Sequence, residues 1–566
     1  MTRRSNGIMV MTMKVRLQGG ARDTGRLTLL FFGGWALLLP QSLVGINIFD
    51  EGFIVTGAML ILDGALPYRD FLSMYGPGQY LLTAAAFTVF GEQLLTVRIL
   101  HGLILSSLAL LVLLVARDLS KPGSFSPYVA FLTCLAITLF ANPNVGYPAV
   151  TAGLLLLASV RAFFERKPET ANNSLAKCSA LVGLAGVFRW DFGLLGLAAL
   201  SVAAVLDRLE ARTMPRSWPI ITAAVAGPAL GILFVVYFPL LVVFSDYDNW
   251  YREVFSYLMT EFPKWREAEM LRPSYLELVA AVTSGGGLER VYRSVLTLLY
   301  PIVPAALAIA AIGIVVSHVR AKGPEPEQFG IGTRPIYLAL IVLALLNQMR
   351  VRPDLWHGFP AFVTSLPLLS FVVEALKARV ARHPSLYRGT KAAGFVAAAV
   401  VFGVALQGLL AAKDKRLVPL DTPRSTHISV APAMASYGEL VNFIRENTGA
   451  DEPIYSGVLD HSRLFVNDVM LYFLTNRRAA ERFVELEPGI ANTASGQAEI
   501  IDSLERTGVR VIVLADITAN ERNQVGASNG ILNLDRYLRD KFAYVKSFGR
   551  YVVLVRRQGE EGNISR

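Results

Sequence analysis

Two adjacent carboxylates, Asp50 and Glu51, follow the first long apolar run of the chain, within the stretch NIFDEG at positions 47–52. Carboxylates are costly near hydrocarbon, so those beside a membrane span are candidates for function. Asp50 could instead cap a helix over 51–63, because aspartate is a favoured N-cap residue. Consecutive helical residues point about 100° apart. We therefore expect one carboxylate to act on substrate while the other organises the site.

Three arginines near the predicted outer ends of spans are candidates for binding a phosphate group. They are Arg69, Arg98 and Arg352. Outer loops are normally poor in cations, and an arginine can hold a phosphate through two parallel hydrogen bonds. For Arg98 the alternative is a side chain that extends along the membrane boundary to the lipid headgroups.

Four further residues are expected to contact substrate: Tyr75, Arg189, Asp354 and His357. Tyr75 belongs to a turn-rich stretch, MYGPGQY at 74–80. For Arg189 an ion pair with Asp191 is the favoured structural interpretation. No metal site is predicted at His357, because no second histidine lies at ligand spacing.

The elements that must position these residues are membrane spans. The chain has 566 residues, of which 53% are hydrophobic and 17% charged, against about 25% charged in soluble domains. Runs of the length that crosses a bilayer predict about eleven transmembrane helices between 26 and 411. They are 27–47, 97–116, 127–142, 148–163, 174–188, 192–206, 218–244, 296–318, 335–349, 358–376 and 392–411.

The basic residues define an orientation for these spans. The net charge is +10, and Lys and Arg cluster in the 1–25 tail and in every second loop. This distribution is a topology signal that places the tail in the cytoplasm, and it argues against nucleic acid as a partner. Residues 48–96 then form one outer loop. Its apolar segment 78–90 spans only about 20 Å as a helix, so we expect it to lie along the outer interface or to be re-entrant.

After 412 the pattern changes to alternating amphipathic helices and β-branched strands. Expected helices are 435–447, 469–475, 496–506 and 532–541, expected strands are 453–458 and 509–514, and a hairpin is expected over 542–556. This pattern predicts a C-terminal extracytoplasmic α/β domain over 412–566. A role in acceptor binding is a hypothesis for it. Cys134 and Cys178 fall in apolar segments and predict no disulfide framework.

The order of these features resembles the GT-C superfamily of membrane glycosyltransferases. The shared features are an inside N-terminus, a first span that ends in Asp-Glu, an outer loop with a short helix opening at Gly76-Pro77, and a span that begins TVRIL at 96–100. The branch most similar holds protein O-mannosyltransferases, the aminoarabinose transferase of lipid A and the lipopolysaccharide-core transferases. The stretch RPDLWHGFP at 352–360 is similar to the late outer loop of that branch. The resemblance covers about 26–411.

The resemblance implies an inverting transfer of a sugar from a polyprenyl-phosphate donor to a lipid, glycan or protein acceptor on the outer face of the membrane. The expected location is a bacterial inner or plasma membrane. It implies that Asp50 is the general base and that a cation stabilises the leaving phosphate. The family's lysine is absent from the matching stretch YGPG at 75–78, so the three arginines above are its candidate replacements. No cofactor is implied with certainty, since some GT-C enzymes use a divalent cation and others do not.

Two other functions stay open. A lipid or glycan transporter or flippase is disfavoured, because no internal repeat is visible and the charges lie at span ends instead of mid-span. A glycan polymerase or ligase would place its chemistry in a late outer loop, and the 245–295 loop here is long and contains Trp250, Lys264 and Arg272.

Overall fold

The structure is a computed structural model that describes residues 20–141, 145–166, 171–210, 218–243, 247–262, 288–321, 332–350, 355–380, 416–463, 466–516 and 528–557. Its first part is helical. The helices are α1 (Gly20–Leu38), α2 (Asp50–Leu62), α3 (Gly78–Phe90), α4 (Leu94–Asp118), α5 (Ser126–Ala141), α6 (Pro148–Phe164), α7 (Ala171–Phe188), α8 (Trp190–Glu210), α9 (Trp218–Phe238), α10 (Leu288–Ala321), α11 (Thr333–Leu346) and α12 (Leu355–Val380). Short helical turns follow one another over 247–260.

Each predicted span up to 358–376 coincides with one of these helices, whereas 392–411 lies outside the described residues. Within the described part, five helices are long and apolar enough to cross a membrane, and four further apolar helices, α3, α5, α6 and α11, are shorter. The predicted outer-loop helix has the expected bounds, Gly78–Phe90. The first helix begins earlier than predicted and gives way to a 3-10 turn at Leu39–Leu43.

Close helix packing fixes the C-terminal end of α7. A Cβ added at Gly183 would lie 2.7 Å from the Cα of Ala229 on α9, and one added at Gly193 would lie 2.5 Å from the Cα of Gly186. Small residues of this kind let helix backbones approach closely in membranes. Helix α7 therefore packs closely on both α8 and α9. The turn between α7 and α8 carries Arg189.

The C-terminal part is the expected α/β domain. Its helices are α13 (Ala435–Asn447), α14 (Met470–Thr475), α15 (Ala494–Arg506) and α16 (Asn533–Lys541), and its strands are β1 (Val418–Pro419), β2 (Ser429–Val430), β3 (Ile454–Val458), β4 (Val511–Ala515), β5 (Phe542–Phe548) and β6 (Tyr551–Arg556). The four-stranded sheet has the order β3-β4-β6-β5. Strands β3 and β4 pair in parallel, and the helices between them make the crossover that parallel pairing requires.

The C-terminal domain shares one hydrophobic core with α2 and α3. The backbone N–H of Met470 donates to the carbonyl of Ile48 (3.2 Å), and the Thr56 hydroxyl donates to the carbonyl of Val469 (3.0 Å). Phe87 of α3 stacks on Phe473 with ring centroids 5.5 Å apart. The domain is therefore packed directly on the loop that contains the two candidate carboxylates.

Candidate active site at the helix ends

Asp50 and Glu51 form the first turn of α2. The side-chain oxygen of Asn47 accepts hydrogen bonds from the backbone N–H groups of Phe49 (3.0 Å) and Asp50 (3.1 Å). The amide of Asn47 also donates to a carboxylate oxygen of Asp50 (3.4 Å). Asn47 thus satisfies N–H groups at the start of the helix and orients Asp50, a capping role that the sequence alone allowed for Asp50 itself.

Glu51 is buried in an ion pair with Arg98. The guanidinium donates to both carboxylate oxygens (2.6 and 2.8 Å) and to the carbonyls of Ser42 (3.0 Å) and Gly45 (2.7 Å). The side chains of Arg98 and Glu51 are only 3% and 1% exposed. The donors of Arg98 are thus engaged inside the protein, and Arg98 does not line the cavity described next; phosphate binding by Arg98 stays a prediction.

A cavity of about 630 Å³ opens where α7 ends and where α8 and α12 begin. One side of it is polar and includes Tyr75, Arg189, Gln348 and His357. The other side is apolar and comes from α8 and the 247–262 segment. The apolar residues are Leu194, Leu195, Phe255, Leu258, Met259 and Phe262. An amphipathic cavity of this size suits a ligand with a polar head and an apolar chain.

The YGPG stretch sets Tyr75 against this cavity. The N–H of Gly76 donates to the carbonyl of Phe188 (3.2 Å), and a Cβ at Gly76 would lie 2.2 Å from the carbonyl oxygen of Val187. The hydroxyls of Tyr68 and Ser73 donate to the carbonyl of Tyr75 (2.8 and 3.0 Å). Only glycine permits this approach, so the stretch fixes Tyr75 beside the turn that carries Arg189.

Arg189 lies next to an aromatic cluster. Its guanidinium is 5.6 Å from the ring centroid of Tyr75 and donates to both oxygens of Asp191 (2.9 and 2.8 Å), the ion pair that the sequence favoured. Tyr147 makes edge contacts with Tyr75 (6.3 Å) and His357 (5.9 Å). The site therefore brings together Tyr75, Arg189 and His357, which are far apart in sequence.

The electrostatics connect Asp50 to this cluster. Burial raises the pKa of the Tyr75 hydroxyl well above its ordinary value, and Tyr147, Asp50 and Glu485 raise it further while Arg189 opposes the rise. Tyr75 is consequently a neutral hydrogen-bond donor at physiological pH. Asp50, and Glu485 of the C-terminal domain, both lie within electrostatic reach of its ring.

The remaining candidates fall elsewhere. Arg69 is 46% exposed, donates to its neighbour Asp70 (2.9 and 2.7 Å) and is not among the residues that line the cavity. Arg352 and Asp354 lie outside the described residues. No group of three or more His, Cys, Asp or Glu side chains is placed to hold a metal ion in the part of the chain that the structure describes.

The C-terminal domain also holds the apolar wall of the cavity. Arg482 forms an ion pair with Glu253 in the 247–262 segment (2.9 Å between Nη1 and Oε2), and the Tyr257 hydroxyl donates to the carbonyl of Pro488 (2.5 Å). Sequence reasoning missed these contacts, because they join segments that are more than 200 positions apart and have no local pattern.

Comparison with known proteins shows likeness in structure only. No family model matches the sequence, and no curated protein matches it. The crystal structure of ArnT from Cupriavidus metallidurans bound to undecaprenyl phosphate superposes with a TM-score of 0.50 at 13% identity, covering 94% of this chain and 98% of that one. The apo state of the same protein gives 0.43 at 14% identity, with the same coverage.

A further similar structure is the archaeal oligosaccharyltransferase AglB from Archaeoglobus fulgidus, in complex with an inhibitory peptide and a dolichol-phosphate. It gives a TM-score of 0.47 at 10% identity and covers 96% of this chain and 76% of that one. ArnT and AglB are both members of the GT-C superfamily. The chain has the GT-C fold, and it is an integral membrane protein with a C-terminal α/β region.

Proposed function

We propose that this protein is an inverting glycosyltransferase that moves a sugar from a polyprenyl-phosphate donor to an acceptor on the outer face of the membrane. The observation that carries the proposal is the amphipathic cavity in which Arg189 lies beside Tyr75, within electrostatic reach of Asp50. ArnT, which has the same fold, was crystallised with undecaprenyl phosphate. The match of fold and cavity chemistry supports a donor of that class.

The two sides of the cavity suit the two parts of such a donor. The leucine, methionine and phenylalanine side chains of α8 and the 247–262 segment would bury the first isoprene units. The sugar would face Tyr75, Tyr147, Gln348 and His357, which offer hydrogen bonds and aromatic surfaces. The linking phosphate would then lie close to Arg189.

Asp50 is the proposed general base. It would take the proton from an acceptor hydroxyl as the oxygen attacks the anomeric carbon. The bond between that carbon and the phosphate oxygen breaks with inversion, and the polyprenyl phosphate leaves with one more negative charge. Asn47 and the buried Glu51–Arg98 pair position Asp50, so Glu51 is proposed as a positioning residue.

Arg189 is the proposed cation for the leaving phosphate. The YGPG stretch lacks the lysine of the related family, yet it packs against the turn that carries Arg189, so Arg189 would supply a positive charge beside this stretch. A fixed cation at the oxygen where charge develops stabilises the transition state more than the ground state. Arg352 remains a second candidate for this role.

The proposal is tested by reconstituting the protein in lipid nanodiscs. A panel of undecaprenyl-phosphate hexoses and pentoses is supplied with the envelope lipid, glycan and protein fractions of cells that lack the protein, with and without EDTA. We expect one donor to be consumed and its sugar to appear on one fraction with inverted anomeric configuration. Failure to bind undecaprenyl phosphate and to transfer any sugar would contradict the proposal.

A further inference from the structure

The segment around Glu485 lies alongside the stretch that carries Tyr75. The N–H of Leu72 donates to the carbonyl of Arg482 (2.8 Å), so the two stretches are joined three residues before Tyr75 and three residues before Glu485. The electrostatic influence of Glu485 on both Tyr75 and Tyr80 agrees with this placement. The C-terminal domain therefore brings a carboxylate close to the stretch that carries Tyr75.

The backbone on both sides of Glu485 is held by one buried side chain. The Asn467 amide donates to the carbonyl of Val484 (3.0 Å), and its oxygen accepts from the N–H of Leu486 (2.9 Å). Asn467 is itself fully buried and also donates to the carbonyl of Ser456 (2.8 Å). Fixing a residue through its supporting hydrogen bonds is how proteins pre-organise a side chain for binding.

The same stretch touches the chain next to Asp50. Val466, which precedes Asn467, packs against Phe49, and Met470 bonds to Ile48. Asp50 is the first residue of α2, and Glu485 is connected to the same region through Asn467 and Val466. Neither lines the cavity proposed for the donor, while Tyr75 does, and both carboxylates act electrostatically on Tyr75.

We propose that Glu485 is an acceptor-binding residue. Its carboxylate would accept a hydrogen bond from a hydroxyl group of the acceptor and hold the reacting hydroxyl at Asp50. A carboxylate accepts a hydrogen bond from a hydroxyl group and repels an anion, so the acceptor end that enters would be hydroxylated. This inference rests on the proposed function.

The test uses the nanodisc assay with the donor that the parent protein consumes. In Glu485→Gln we expect the acceptor concentration for half-maximal rate to rise roughly tenfold or more, as for loss of a hydrogen bond to a charged group. The half-saturating donor concentration should stay within about twofold of the parent value, which is less than the change expected for loss of such a hydrogen bond. Glu485→Asp should recover part of the acceptor affinity. The lipid, glycan and protein fractions are assayed separately, and the fraction that receives the sugar shows which source carries the hydroxyl group.

Glu439→Gln, at an exposed position of α13 in the same domain, is the matched control and should leave both concentrations unchanged. An unchanged acceptor concentration in Glu485→Gln would overturn the inference alone, and an equal rise for donor and acceptor would show a structural role instead. If Glu485→Gln does not fold, Glu485→Asp decides by the same two measurements. If the parent neither binds undecaprenyl phosphate nor transfers sugar, the proposed function fails and the inference fails with it.

Discussion

Removing one partner of the buried Glu51–Arg98 ion pair is expected to destabilise the region around the start of α2. Both side chains are almost fully buried, so a Glu51→Gln change keeps the shape but leaves the guanidinium without its counter-charge. Loss of one partner of a buried pair costs about 3–5 kcal/mol. Arg98→Met should cost at least as much, because it also leaves the carbonyls of Ser42 and Gly45 without their donor.

The double variant separates the charge effect from other changes. Glu51→Gln with Arg98→Met removes both charges, so its loss should be smaller than the sum of the two single losses by about 1 kcal/mol or more. The free energy of unfolding can be followed by tryptophan fluorescence during SDS titration in mixed micelles. Asp70→Asn is the control, because it breaks an exposed pair with Arg69 and should cost at most about 1 kcal/mol. A Glu51→Gln loss no larger than that of the control, or strict additivity in the double variant, would refute the reasoning.

Three further predictions concern domain packing, pH and donor binding. Gly52→Ala would place a methyl group 2.6 Å from the backbone of α14. It should loosen the packing of the C-terminal domain, which would be measured as faster amide hydrogen exchange in that domain. The control is Gly227→Ala, whose methyl group meets nothing within 4 Å and should leave exchange unchanged. Burial raises the pKa of Glu481 from 4.5 to about 8. The folded protein therefore binds this proton more tightly than the unfolded chain, and its stability should fall as the pH rises from 4.5 to about 8. Glu481→Gln should make the melting temperature less dependent on pH in this range, and an unchanged dependence would contradict the prediction. Arg189→Ala should weaken undecaprenyl phosphate binding roughly tenfold or more in a fluorescence titration, with unchanged affinity moving the phosphate site elsewhere.

Local patterns predicted most of the secondary structure. Apolar runs located the helices, and the Gly76-Pro77 and Gly91 turns bounded α3 where the sequence indicated. In the C-terminal domain, amphipathic periodicity predicted α13 and a β-branched run predicted β4, and the hairpin of β5 and β6 has the expected range. These features depend on residues close in sequence, which is why a single sequence contains them.

The pairing of charges could not be predicted in the same way. Arg98 was a candidate phosphate ligand because it is a cation at an outer span end, yet it pairs with Glu51, 47 positions earlier. Conversely, Glu485 had no signal of its own, since only the packing of the C-terminal domain on α2 and α3 brings it near Tyr75. Tertiary contacts decide which side chain a charged residue pairs with, and the hydrophobic periodicity of the sequence does not predict these contacts.

The measurement that bears most directly on the central claim is sugar transfer by Asp50→Asn. The donor is the undecaprenyl-phosphate sugar that the parent protein consumes, and Asp63→Asn, at the other end of α2, is the matched control. Loss of a general base lowers the rate by about 10²–10⁴-fold, so Asp50→Asn should show that loss with unchanged donor binding and folding, whereas Asp63→Asn should keep the parent rate. Transfer by Asp50→Asn at the parent rate would contradict the assignment of Asp50 as the base.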